Sequence, residues 1–142
     1  MEIIKPENIV LGQAKEGKDD VIKRAGKMLV DLGYVAERYI EGMLARDKSL
    51  SCAIGNSIAI PHGEIDYKNE IIETGLVVIT YNDAIDWNGM PVHIVIGIAA
   101  KGGEHNDILG NIVDILDNND DVKNFLAITD KNKICKMLLE GV

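Results

Sequence analysis

The chain holds three histidines, His62, His93 and His105, and imidazole is the side chain whose charge changes near neutral pH. His62 stands in Ile58-Ala-Ile-Pro-His-Gly63. Pro61 fixes its own φ and drives Ile60 toward an extended conformation, so the apolar run stays a strand up to the histidine. Gly63 has no Cβ, which permits either an unusual backbone angle or the close approach of another surface. An imidazole on a restrained backbone at a strand end is presented as a nucleophile should be, head-on to a reacting atom. His105 follows Gly102-Gly103-Glu104 and stands where a helix is expected to begin. Backbone N–H groups at a helix start favour anions, phosphate among them, and the positive helix end disfavours the imidazolium form. Arg46 lies near the end of another expected helix, in Met43-Leu-Ala-Arg-Asp-Lys48. Its planar guanidinium is suited to a phosphoryl group.

Each of these residues also has an ordinary structural reading when taken alone. His62 can be a half-exposed loop residue, Gly102-Gly103 a tight connection, and Arg46 a cation answering its own helix dipole. His93 alternates out of phase with Ile94, Ile96 and Ile98 and reads as a structural or partly exposed strand residue. A zinc site would have ligands enough in His62, His93 and His105, but no H-x-x-x-H or H-E-x-x-H spacing supports one. No metal and no cofactor is expected. Cys52 and Cys135 lie far apart and read as free thiols behaving as small apolar residues.

The elements that must position these groups follow from periodicity. Val21, Ile22, Ala25, Met28, Leu29 and Leu32 fall at helical spacing between Asp19 and Gly33. A second helix is expected from about Ala36 to Lys48, with Tyr39, Ile40, Met43 and Leu44 inward and Gly42 weakening it. Ser57 to Ile60 and Gly75 to Tyr81 read as strands, and Asn88-Gly89 as a turn. Val92 to Ala100 is nearly all apolar, which predicts a central strand covered on both faces. Helices are expected from about His105 to Leu116, Asp120 to Ile128 and Lys131 to Glu140, with Thr129 or Asp130 capping the last. Helices first, strands in the middle and helices last fit an α/β (α+β) chain. Its sheet carries helices on both faces and need not be purely parallel.

With 142 residues, 46% hydrophobic and 27% charged, the chain reads as one domain, residues 1–142, with a packed core. One Phe and one Trp leave that core to Ile, Leu, Val, Ala and Met. No apolar run approaches the roughly 20 residues that cross a bilayer. The start Met1-Glu-Ile-Ile-Lys-Pro lacks the pattern of a signal peptide, so a cytoplasmic protein without membrane insertion is expected. A net charge of −8 argues against nucleic-acid binding and suits basic protein partners.

In combination the motifs are far more specific. Ala45-Arg46-Asp47, Ile58-Ala-Ile-Pro-His-Gly63, Gly97-Ile-Ala-Ala100 and Glu104-His105 resemble the enzyme IIA domain of the bacterial phosphoenolpyruvate-dependent sugar phosphotransferase system, mannitol and fructose branch. Gly33-Tyr-Val and Val95-Ile-Gly-Ile-Ala-Ala100 look closest to the mannitol-specific members. The resemblance runs through nearly the whole chain and implies a single mixed parallel and antiparallel sheet flanked by helices on both faces. It implies that His62 accepts a phosphoryl group on Nε2 from the phosphocarrier protein HPr. The group then passes to a cysteine of enzyme IIB, for mannitol uptake through IIB and IIC. By the same resemblance His105 and Arg46 stabilise the phosphoryl group, while Asn56 lies where the family varies. A fructose-specific IIA, or a nitrogen-type regulatory module switched at the same histidine, shares the motif around His62. The partner surface is expected to be apolar at its centre with acidic rims.

Overall fold

The longest apolar run of the chain forms its central strand, β5 (Met90–Ala99). The other strands are β1 (Ile9–Gln13), β2 (Ala53–Gly55), β3 (Ile58–Ala59) and β4 (Gly75–Trp87). Among the described residues five α-helices accompany them: α1 (Lys18–Asp31), α2 (Tyr39–Ser49), α3 (Glu104–Ile115), α4 (Asn119–Leu126) and α5 (Lys131–Leu139). The computed structural model describes residues 2–139. The strands form one sheet in the order β1-β4-β5-β3-β2. The β1–β4 and β3–β5 pairs are parallel, and the β4–β5 and β2–β3 pairs antiparallel.

Alternation along β5 divides the core. Val95 and Ala99, with Val77 and Ile79 of β4, pack against Val21, Ile22, Ala25 and Leu29 of α1 and against Tyr39 and Met43 of α2. Ile94, Ile96 and Ile98 face the other way, onto Ile108 and Ile112 of α3, Phe125 of α4 and Ile134 and Leu138 of α5. Each fully buried aliphatic side chain contributes about 1.5–3 kcal/mol to this arrangement. The expected mixed sheet with helices on both faces is therefore what the chain adopts.

Several boundaries differ from expectation for identifiable reasons. The second helix starts at Tyr39 rather than near Ala36, because Ala36 N–H donates to the Glu70 carbonyl at 2.8 Å and Val35 bridges Ile71. β4 runs on past Tyr81 to Trp87 through a register shift between Thr80 and Ile85, where exposed Asn82 and Asp83 disguise a strand as a turn. Asn88-Gly89 makes the expected hairpin turn, with both residues at positive φ. β1 and β2 are short edge strands that periodicity does not reveal. β2 joins β3 through Asn56 and Ser57, both at positive φ (53° and 65°), a two-residue turn without the usual glycine. The last helix is capped by Asp130, whose Oδ1 accepts from Asn132 N–H at 2.9 Å; its expected end, Glu140, lies outside the described residues.

Candidate active site

Beyond β3 the chain continues extended through Ile60 and Pro61 and keeps company with the carboxyl end of β5. Ile60 N–H donates to the Cys52 carbonyl at 3.0 Å and Ile98 N–H to the Pro61 carbonyl at 2.9 Å. A single parallel bridge then joins His62 to Ile98. The histidine thus sits where two parallel strands end, the usual place for a site in an open α/β sheet. Only five residues separate the end of β5 from His105 in the first turn of α3, so the same strand end delivers both imidazoles.

The two rings lie with centroids 4.8 Å apart at an interplanar angle of 55°. They line a cleft of about 660 Å³ together with Tyr39, Arg46, Lys68 and Asn106. Arg46 projects from the last turn of α2, where its Nη1 donates to the Leu50 carbonyl. It therefore caps its own helix and borders the cleft as well, so the two readings of this residue are compatible. His93 stands apart: its strand position is five residues before Ile98, about 16 Å at a strand's rise, and its Nδ1 lies 3.4 Å from Ser57 Oγ. Among the described residues no group of three or more His, Cys, Asp or Glu is placed to hold a metal ion.

The tautomer of His62 is fixed by its neighbour. Nδ1 lies 2.7 Å from the Ile60 carbonyl oxygen, which can only accept, so Nδ1 carries the proton and the neutral ring keeps its lone pair on Nε2. Burial lowers the His62 pKa, and His105 and Arg46 lower it further against the opposing pull of the Ile60 carbonyl. Burial and then Arg46 lower His105 likewise. Both rings are held neutral and nucleophilic beside a cation. The first turn of α3 has no side-chain cap, with Gly103 at the N-cap position; the Glu104 N–H meets the Lys101 carbonyl at 3.3 Å, and the amides that follow are those a helix start offers to an anion.

Three parts of the site escape a reading of the sequence. Tyr39 falls in the buried stripe of α2 as expected, yet its hydroxyl accepts from Gly63 N–H at 2.8 Å and donates to the Ile98 carbonyl at 2.9 Å. Its signal was available: a buried phenol needs a partner for its hydroxyl. Asp47, 3% exposed, accepts from Cys52 N–H at 2.9 Å and Trp87 Nε1–H at 2.8 Å and pairs with Lys18 at 2.8 Å, tying α2 next to Arg46 to α1, to β4 and to the residue before β2. Cys52 is a buried free thiol, pushed up to about 11 chiefly by burial, with the His62 amide among its neighbours. Asn56 is drawn elsewhere: its Nδ2 donates to the Asp117 carbonyl at 3.0 Å, pinning the β2–β3 turn to the end of α3.

An imidazole lone pair, a second imidazole, a guanidinium and a helix start around one cleft are the parts that phosphoryl transfer through histidine requires. Residues 2–141 match the family described as phosphoenolpyruvate-dependent sugar phosphotransferase system, EIIA 2, and the chain belongs to that family. It is 36% identical over 138 residues to the mannitol-specific phosphotransferase enzyme IIA component of Halalkalibacterium halodurans, covering 97% of this chain and 95% of the relative. The component of the same name from Bacillus subtilis is 38% identical over 128 residues, with 89% and 90% covered. The PTS system mannitol-specific EIICBA component of Buchnera aphidicola is 46% identical over 126 residues. That match covers 87% of this chain but only 20% of the longer protein. Among solved structures, IIA mannitol from Escherichia coli superposes with a TM-score of 0.85 at 31% identity, covering 95% of this chain and 98% of that one. In a complex of enzyme IIA mannitol with phosphorylated enzyme IIB mannitol from the same species the TM-score is 0.87 at 30% identity, with 95% and 96% covered.

Proposed function

We propose that residues 1–142 form one IIA domain that relays phosphate in a cytoplasmic mannitol phosphotransferase system, with His62 as the carrier. The observation that carries this reading is the Nδ1 bond of His62 to the Ile60 carbonyl, which leaves Nε2 as the nucleophile in a cleft shared with His105 and Arg46. Nε2 attacks phosphorus on the phosphohistidine of HPr, the donor N–P bond breaks, and the bonding pair returns to the donor ring. In the second step a cysteine thiolate of IIB attacks the same phosphorus, the S–P bond forms, the His62 N–P bond breaks, and its bonding pair returns to Nε2. His105, Arg46 and the amides of the first turn of α3 meet the equatorial oxygens, while Nδ1 keeps its proton throughout. The relatives named as mannitol-specific support mannitol as the sugar. Ile65, 79% exposed between Glu64 and Asp66 on the cleft wall, supports docking of a partner with an apolar centre and basic surroundings.

Incubation with enzyme I, HPr and labelled phosphoenolpyruvate tests the reading. Label should appear on the wild type, be absent from His62→Ala, and move to mannitol-specific IIB in preference to IIB proteins for other sugars. His105→Ala should accept phosphate and pass it on more slowly. An unlabelled wild type, or undiminished label on His62→Ala, refutes the carrier role.

A further inference from the structure

An ordinary parallel rung between His62 and Ile98 consists of two bonds, Ile98 N–H to the Pro61 carbonyl and Gly63 N–H to the Ile98 carbonyl. The first is present at 2.9 Å. At the second, the Tyr39 hydroxyl joins the two groups, accepting from Gly63 N–H at 2.8 Å and donating to the Ile98 carbonyl at 2.9 Å. A side chain from α2 therefore completes the rung that carries the reactive histidine. The ring cannot drift, because Tyr39 is 2% exposed and lies so close to Gly63 that a Cβ there would come within 2.5 Å of its Cε1. Burial pushes the phenol up to about 12, so the hydroxyl keeps the proton it donates to Ile98.

We propose that Tyr39 is a positioning residue for phosphoryl transfer: its hydroxyl sets the spacing between the Gly63 amide and the end of β5, and so aims the His62 imidazole at the incoming phosphorus. The inference rests on the reading of His62 as the phosphoryl acceptor. It assigns Tyr39 no contact with the phosphoryl group. Loss of the hydroxyl frees the Gly63 amide and the Ile98 carbonyl to bond directly or to find water. Either change moves the backbone one residue from the imidazole, and a misplacement approaching 1 Å costs up to about 10²-fold in rate.

Tyr39→Phe tests this, since it keeps the ring against Gly63 and removes only the oxygen. The maximal rate of phosphoryl acceptance from phospho-HPr should fall by about 10-fold or more, while the half-saturating HPr concentration stays within a factor of about two. The ¹⁵N and ¹H signals of the His62 ring should shift in the free protein, a signature that a merely structural role would leave in place. A folded Tyr39→Phe with unchanged rate and unchanged His62 signals overturns the proposal. Should Tyr39→Phe fail to fold, 3-fluorotyrosine at position 39 keeps ring and hydroxyl and alters only the hydroxyl's hydrogen-bond strength. The rate and the His62 signals must then move, and their constancy is equally fatal. A wild type that takes no phosphate, alongside shifted His62 signals in Tyr39→Phe, would overturn the carrier reading and leave the aiming of the imidazole supported.

Discussion

Gly63→Ala puts the geometry around His62 under the most direct strain. Gly63 is not among the glycines at positive φ, so alanine meets no backbone penalty there and only space decides the outcome. Its Cβ would stand 2.5 Å from Tyr39 Cε1 and 2.9 Å from Cζ. Ordinary contact begins at 3.4 Å, so the gap must open by about 0.9 Å. The Tyr39 ring is buried and tied to the Ile98 carbonyl, so the loop carrying His62 is the part that yields. The Gly63–Tyr39 bond, 2.8 Å long, then stretches beyond hydrogen-bond range at a cost of about 1 kcal/mol. Overpacking adds about 1–3 kcal/mol, about 2–4 kcal/mol with the lost bond, and at about 2–4 °C per kcal/mol a Tm loss of roughly 4–16 °C follows. Transfer from phospho-HPr should slow by up to about 10²-fold. The melt can be followed by fluorescence of Trp87, the only tryptophan and fully buried. Gly110→Ala is the control: a Cβ there meets nothing within 4 Å on α3, so stability should rise by about 0.5–1 kcal/mol with transfer unchanged. Gly63→Ala with wild-type Tm and a rate within about two-fold of wild type would refute the close-approach argument.

Further outcomes follow from the titratable groups. Burial pushes the Asp47 carboxyl up, but the hydrogen bonds from Lys18, the Cys52 amide and the Trp87 indole outweigh it and leave the pKa lowered. Asp47→Ala should cost about 3–5 kcal/mol in urea unfolding, and Asp47→Asn less, because an amide oxygen still accepts from Cys52 and Trp87. A folded pKa below the unfolded one stabilises above the unfolded value, so the gap between wild type and Asp47→Asn should close as pH falls below about 4; a constant gap refutes the ion pair. His62 is lowered chiefly by burial, with His105 and Arg46 adding to it, so phosphoryl acceptance should persist below the ordinary histidine value of about 6.5 before it falls. Arg46→Ala should move that acid limb and the His62 NMR titration upward; an unmoved titration removes Arg46 from the electrostatics of the site.

How much of this was legible depends on the kind of force involved. The central strand was, because nine nearly continuous apolar residues from Val92 to Ala100 leave few alternatives, and so were the helices whose buried faces repeat at 3.6 residues. β2 was not, since three residues with Ile54 exposed carry no period, and its turn uses Asn56 and Ser57 where a glycine would have announced it. The sequence brought forward His62, His105 and Arg46, and the fold gathers all three around one cleft. Tyr39 and Asp47 could not be assigned to the site because, although a buried phenol needs some partner, which partner each one meets is a tertiary matter. Tyr39 reaches Ile98 across 59 positions and Asp47 reaches Trp87 across 40, and no local pattern encodes either. For Gly63 the sequence left two explanations open, and the Tyr39 ring decides for close approach.

On the proposed relay, the same geometry explains how one guanidinium can serve a group that must both arrive and leave. A lone-pair nucleophile has to be neutral before transfer, and Arg46 helps keep both imidazoles neutral by lowering their pKa values. The same positive charge attracts the phosphoryl oxygens once the group is in place, so it favours acceptance twice. Release then requires that this attraction be modest. Arg46 meets that condition because its Nη1 serves the Leu50 carbonyl at the negative end of α2, so the helix end offsets part of the charge that its remaining N–H groups present to a phosphoryl oxygen. His105, held neutral, offers a hydrogen bond without a second full charge. A second guanidinium beside the imidazoles would hold phosphate more tightly and hand it on more slowly. Asn106→Arg, which adds a guanidinium to the lining of the same cleft, should therefore lengthen the lifetime of the phosphorylated protein in the presence of IIB; faster delivery would show that charge does not limit release.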